Sequence, residues 1–215
     1  MEPDEPLDDL VVELTGKERP RVLLIPTARG DADWYVVDFY AAYGPRAEAS
    51  HLKLFAIPPP DLRHLVLAQD AVFVAGGSLA NMLAVWRVHR LDEILREAWE
   101  RGVVLAGSSA GALCWFEAGV TDSFRAELDG IDCLGFLSGS YCPHYDGEPQ
   151  RRIAYRRLLE EGFGPGLAAD EKVGLLFRGT ELVEAVTSRT DDAAAYRVSR
   201  EGEERIEPRR LRSFS

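Results

Sequence analysis

The chain alternates short, almost uninterrupted apolar runs with stretches whose apolar residues recur at helical spacing. Arg21-Val22-Leu23-Leu24-Ile25-Pro26, Ala71-Val72-Phe73-Val74-Ala75 and Val103-Val104-Leu105-Ala106 are apolar nearly throughout, not at every second position. Such runs suit strands covered on both faces, the setting of a parallel sheet between helix layers. Between them, Trp34 to Tyr43, Asp61 to Ala68, Ser78 to Val88 and Leu91 to Arg101 carry the helical pattern. Gly44-Pro45 stops the first of these, and Asp61 is placed to cap the second. His51 to Ile57 reads as a further strand, closed by Pro58-Pro59-Pro60. The alternation predicts an α/β fold: a mostly parallel sheet flanked by helices. Farther on the pattern loosens. Tyr141 to His144 is a short extended piece and Pro149 to Gly162 a basic helix. Val173 to Phe177, Glu181 to Val186 and Ala194 to Val198 read as strands of a small antiparallel C-terminal extension. Residues 1–20 read as an arm and 21–215 as one domain, long enough for a substantial core.

Composition removes several classes of function. A formal net charge of −11 argues against a nucleic-acid partner, because such affinity is dominated by cations on phosphates. The arginines near the C-terminus (Arg205, Arg209, Arg210, Arg212) read as a solvated tail. No apolar stretch approaches the length of a membrane span. The opening MEPDEPLDDL is acidic and proline-bearing, the opposite of a signal peptide, so a cytoplasmic location is expected. Cys114, Cys133 and Cys142 are odd in number and lack metal-ligand spacing, which suits a reducing compartment.

The segment richest in chemistry is Gly107-Ser108-Ser109-Ala110-Gly111-Ala112, between the strand Val103 to Ala106 and Leu113-Cys114-Trp115-Phe116, read as a helix. A strand feeding a helix through G-x-S-x-G is a nucleophile elbow, which presents its serine at the sheet edge near backbone N–H groups. Small residues at such a turn also serve close backbone packing or phosphate binding. A serine hydroxyl needs a base, and the chain offers four histidines. His51 opens a predicted strand, at the edge opposite an active site; His64 and His89 lie in or beside helices. His144 follows an extended run and enters the loop Tyr145-Asp146-Gly147-Glu148, where catalytic groups of open α/β sheets gather. An orienting carboxylate then comes from Asp170 or Glu171, with Asp122 and Asp146 as competitors. Gly76-Gly77, closing the strand before the elbow strand, lets a backbone N–H approach a carbonyl; the N–H of Ala110 would be the second oxyanion donor. This chemistry calls for no metal and no cofactor.

Taken in order, Val72-Phe73-Val74-Ala75-Gly76-Gly77, Gly107 to Ala112, Cys142-Pro143-His144-Tyr145 and Ala168-Ala169-Asp170-Glu171 resemble the peptidase E family of serine peptidases. The likeness spans roughly residues 20 to 200, the scale of a whole domain. It implies a class I glutamine amidotransferase-like (flavodoxin-like) fold, with Ser109 as nucleophile, His144 as base, Glu171 as third member with Asp170 as alternative, and Gly77 and Ala110 as the oxyanion hole. It also implies cleavage of short peptides, dipeptides with N-terminal aspartate in particular, and a homodimer. The family's substrate pocket uses an asparagine after the glycine pair and a basic residue after the histidine. Here Ser78 takes the first place, and Arg151, Arg152 and Arg156 compete for the second. A cyanophycinase-like peptidase and a non-catalytic relative of the amidotransferase fold are the alternatives.

Overall fold

The computed structural model describes residues 5–212. They fall into two compact units that divide between residues 112 and 113, where the sequence suggests an arm and one domain. No helix among the described residues is long and apolar enough to cross a membrane.

The first unit is a layered α/β assembly. Its strands β1 (Arg21–Ile25), β2 (Glu48–His51), β3 (Ala71–Val74) and β4 (Val104–Gly107) form one four-stranded sheet in the order β2-β1-β3-β4. All three pairings are parallel. Helices α1 (Pro6–Leu14), α2 (Asp33–Tyr43), α3 (Leu62–Leu67), α4 (Leu79–His89) and α5 (Leu91–Glu100) connect and cover it, and the one-turn α6 (Ala110–Leu113) follows β4. The apolar runs do what their composition demands: Val22, Leu23, Leu24 and Ile25 of β1 are fully buried. From α2, Phe39 stacks on Tyr43 with centroids 4.6 Å apart, and Tyr43 meets Phe73 of β3. Asp61 caps α3 by accepting the His64 N–H at 2.8 Å.

Two expectations change here. The arm is largely α1, which docks into this core through Val11 and through Asp8, whose buried carboxylate accepts the Tyr43 hydroxyl at 2.9 Å. The strand expected over His51 to Ile57 occupies Glu48–His51 instead. The cause is Asp31, whose carboxylate accepts the N–H groups of both Leu54 and Phe55, at 2.5 and 2.7 Å. Those amides are satisfied by a side chain, so the chain leaves the ladder.

The second unit holds β5 (Phe116–Thr121), β6 (Asp129–Asp132), β7 (Leu137–Cys142), α7 (Gln150–Glu160), β8 (Gly166–Ala169), β9 (Val173–Arg178), β10 (Glu181–Thr187), β11 (Ala195–Ser199), β12 (Gly202–Ile206) and β13 (Arg209–Arg210). A six-stranded sheet runs β12-β11-β8-β7-β5-β6, parallel at β5–β7–β8 and antiparallel elsewhere. A three-stranded sheet, β13-β10-β9, holds the antiparallel hairpin of the C-terminal extension. Helix α7 lays Tyr155, Leu158 and Leu159 onto Val120, Cys142 and Ala168. The helix expected over Leu113 to Phe116 does not continue past Leu113. The carbonyls of Cys114, Trp115 and Phe116 accept N–H groups of Leu134 to Leu137, and this tertiary pairing overrides helix propagation. Cys114 is fully buried, as expected of a small apolar residue, but outside a helix.

Candidate active site

In the first unit, parallel register brings Ile25, Val74 and Gly107 to the same edge of the sheet. The loops leaving these three strand ends therefore meet, as open α/β sheets require of a ligand site. At the β4 end, Ser109 has φ +52°, a left-handed conformation that a side-chain-bearing residue adopts only when its surroundings impose it. The surroundings are explicit. Ser108 donates its N–H to Val74 O at 3.1 Å, and the Gly111 and Ala112 N–H groups return to Ser108 O and Ser109 O at 2.9 and 3.0 Å. A Cβ on Gly111 would stand 2.2 Å from Val74 O, so only glycine allows the turn to lie this close to β3. Ala110 opens α6, which puts its N–H among the first-turn donors that have no acceptor within the helix.

The Gly76-Gly77 turn touches this elbow: a Cβ on Gly76 would lie 3.0 Å from the Ser109 Cβ. Gly77 is exposed. Ser78 donates its N–H to Ala28 O at 2.9 Å, while its hydroxyl caps α4 by accepting the Asn81 N–H at 3.4 Å. The hydroxyl of Tyr35 hydrogen-bonds the side chain of Ser108, the residue before the expected nucleophile.

In the second unit, His144 lies just past β7, also with a left-handed φ of +57°. Its Nδ1 is 2.5 Å from Glu171 Oε1, with both side chains partly exposed. A carboxylate at Nδ1 holds the proton there and makes Nε2 the basic nitrogen of the neutral ring. The Glu171 backbone is itself clamped. Its N–H donates to Asp146 Oδ1 at 2.7 Å, and Arg189 Nη1 donates to Asp146 Oδ2 at 2.5 Å and to Glu171 O at 3.3 Å. His144, Asp146 and Glu171 thus close a ring of chain and hydrogen bonds, locked from outside by Arg189. Burial pushes the Asp146 carboxyl up, but the Glu171 amide and the Arg189 guanidinium outweigh it and hold the group below its usual range.

Asp170 is buried and its Oδ2 accepts the Ala194 N–H at 2.8 Å rather than meeting the imidazole; burial raises its carboxyl pKa. Asp122 is exposed beyond β5. Arg151 is buried, with Nε on Glu148 at 2.8 Å and Nη1 on Val120 O at 3.4 Å. Arg152 lies between the rings of Tyr145 and Tyr196, 4.4 and 4.6 Å from their centroids, and pairs with Glu203. Arg156 shares Glu203. His51 closes β2 rather than opening a strand, which moves it to the carboxyl edge, where Nδ1 is 3.0 Å from the Tyr40 hydroxyl. Arg189 and Tyr35 escaped the sequence reading. Arg189 belongs to no local motif, and Tyr35 is spaced like a core residue of α2.

The model of peptidase family S51 matches residues 1–185. The chain belongs to peptidase family S51. A Bacillus subtilis (strain 168) protein named as the uncharacterized peptidase YgaJ is 47% identical over 201 residues, covering 92% of this chain and 86% of that protein. The fold is shared with solved structures at low identity. A peptidase from an acI-B1 Actinobacterium superposes with a TM-score of 0.73 at 20% identity, over 97% of this chain and 91% of that one. A putative peptidase E protein from Listeria monocytogenes EGD-e gives 0.58 at 18% identity, over 91% and 95%. S51 membership makes the chain a peptidase, and the mixed α/β architecture with its mostly parallel sheet is shared with these two solved structures.

Proposed function

We propose that the protein is a serine exopeptidase acting on short peptides, dipeptides with N-terminal aspartate among them. The observation that carries the reading is the left-handed Ser109 at a sheet-edge elbow in a chain of family S51. Strain of this kind is kept where it aims a reactive group.

In this reading the Ser109 hydroxyl attacks the peptide carbonyl while Nε2 of His144 takes its proton. Glu171 steadies the imidazolium through Nδ1, and the N–H groups of Gly77 and Ala110 hold the oxyanion. The imidazolium then protonates the leaving amine as the C–N bond breaks, giving an acyl-enzyme. Water, deprotonated by His144, attacks the ester; the acid product leaves and Ser109 regains its proton. Glu171 takes the role that Asp170 shared with it in sequence, because the Asp170 carboxylate is engaged by the Ala194 amide. Ser78, beside the glycine turn, stays a candidate substrate residue. Arg151 and Arg152 we assign to supporting the His144 loop, given their partners Glu148, Val120, Tyr145, Tyr196 and Glu203. The same reading takes the enzyme as a cytoplasmic homodimer without a cofactor; sedimentation of the purified chain tests the dimer.

A small serine-directed acylating probe is expected to label the protein, and Ser109→Ala to abolish labelling. Labelling that survives the substitution removes the nucleophile. Hydrolysis of Asp-Leu but not Leu-Leu supports the aspartyl preference, and equal rates remove it. Turnover of an Arg-Asp polymer in place of both dipeptides favours the cyanophycinase-like alternative.

A further inference from the structure

We propose that Arg29 is a substrate-binding residue: it receives a free carboxylate of the short peptide whose scissile carbonyl sits at Ser109. The inference rests on the peptidase reading and adds the group that would select short, acid-bearing substrates.

Arg29 lies in the loop that leaves β1, one of the three strand ends converging on the elbow. That loop is tied to the site on both sides. Ala28 O accepts the Ser78 N–H at 2.9 Å, joining it to the glycine turn, and Tyr35 reaches Ser108, joining it to the elbow. Its base is anchored below, where Thr27 Oγ1 accepts the fully buried Trp86 indole N–H at 3.2 Å. Thr27 and Ala28 are buried, and Arg29 is the residue that emerges. The loop is therefore fixed while its one cationic side chain faces solvent.

The guanidinium is also held in place. Its Cζ is 5.6 Å from the centroid of Trp34 and 5.6 Å from that of Tyr35, and those two rings meet edge to face. Stacking against aromatic faces restrains an arginine without using its hydrogen-bond donors. Trp34 is 55% exposed, so this ring does not serve the core. Acidic residues outnumber basic ones 36 to 25, yet among the described residues Arg29 forms no ion pair. Asp31, its nearest acidic neighbour in sequence, turns its carboxylate onto Leu54 and Phe55 instead. An arginine whose planar donor fork is restrained and unpaired is suited to bidentate recognition of a carboxylate. Two groups of a short peptide carry that chemistry: an acidic side chain at its N-terminal residue, and the α-carboxylate of its last residue.

The test uses the full chain as Ser109→Ala, which separates binding from turnover, and titrates Asp-Leu, Leu-Leu and Leu-Leu amide by calorimetry. Adding Arg29→Gln is expected to weaken the recognised ligands about ten- to hundredfold, the size of one lost charge-assisted pair. Arg29→Lys should recover part of that, and the wild-type advantage should shrink in high salt. A loss confined to Asp-Leu assigns the side-chain carboxylate. Equal losses for Asp-Leu and Leu-Leu, with the amide unaffected, assign the α-carboxylate. Unchanged binding of all three ligands in Arg29→Gln, or no binding of any by the Ser109→Ala protein at millimolar concentration, overturns the proposal. A wild type that binds through Arg29 but hydrolyses nothing instead defeats the peptidase reading and leaves this one standing.

Discussion

Asp170 and Glu171 show how two neighbouring carboxylates acquire different tasks. They follow β8 directly; one is buried on the Ala194 amide and the other meets His144. A sequence cannot tell which neighbour faces the imidazole without the sheet that orients them, and for this reason both remained candidates. The tight turn at Ser109 was legible because its steric demands are local and select small flanking residues. Arg189 was not, because its partner Asp146 lies far away in sequence. Arg189→Ala is expected to lower kcat about tenfold with KM nearly unchanged, since it loosens the Glu171 backbone and touches no substrate. Arg189→Lys should restore part of the rate; steady-state kinetics on both variants checks this. Asp8 carries a second residue-scale expectation. Burial, against the Tyr43 hydrogen bond and the Arg46 charge, raises its pKa from 3.8 to about 6. Between those two values the folded chain binds more protons than the unfolded one, so stability at this site falls as pH rises from 4 to 6. Asp8→Asn, which keeps an acceptor for Tyr43, should flatten that stretch of the Tm–pH curve and raise Tm at pH 7.

Elements were readable in proportion to how far their burial is written in composition. β1, β3 and β4 are covered on both faces and announce themselves as apolar runs. β6 (Asp-Gly-Ile-Asp) and β12 (Gly-Glu-Glu-Arg-Ile) are edge strands of the six-stranded sheet; their polar sequences carry no such signal and need a partner to become strands. The same non-local pairing ends α6 after one turn and carries the chain into β5. A helix this short contributes little macrodipole, so the elbow depends on its two backbone approaches to β3. Gly111→Ala sets a methyl 2.2 Å from the Val74 carbonyl and must push the turn off β3. We expect about 2–4 kcal/mol of lost stability by urea unfolding and loss of labelling at Ser109 in the fraction that remains folded.

At the scale of the whole chain, the fold class was legible and the division of labour was not. One continuous domain was a fair reading of unbroken composition, since no proline- or glycine-rich linker marks the passage from residue 112 to 113. The first unit carries the elbow and the glycine turn; the second carries His144 and Glu171. On the proposed mechanism, in which Ser109 and His144 serve the same step, their losses do not add. Ser109→Ala and His144→Ala should each cost on the order of 10⁴-fold in kcat, and the double variant should be no worse than either alone. Additive losses in that cycle would mean that the two residues serve different steps.

The positive φ at position 109 also makes the turn a filter on which alcohols or thiols it can display. Threonine has the same hydroxyl, yet its branched Cβ is a poor fit to left-handed backbone, so Ser109→Thr should distort the bend and silence the enzyme. Cysteine has serine's shape at Cβ and should be accepted, converting the protein into a thiol-reactive form that alkylating reagents can titrate.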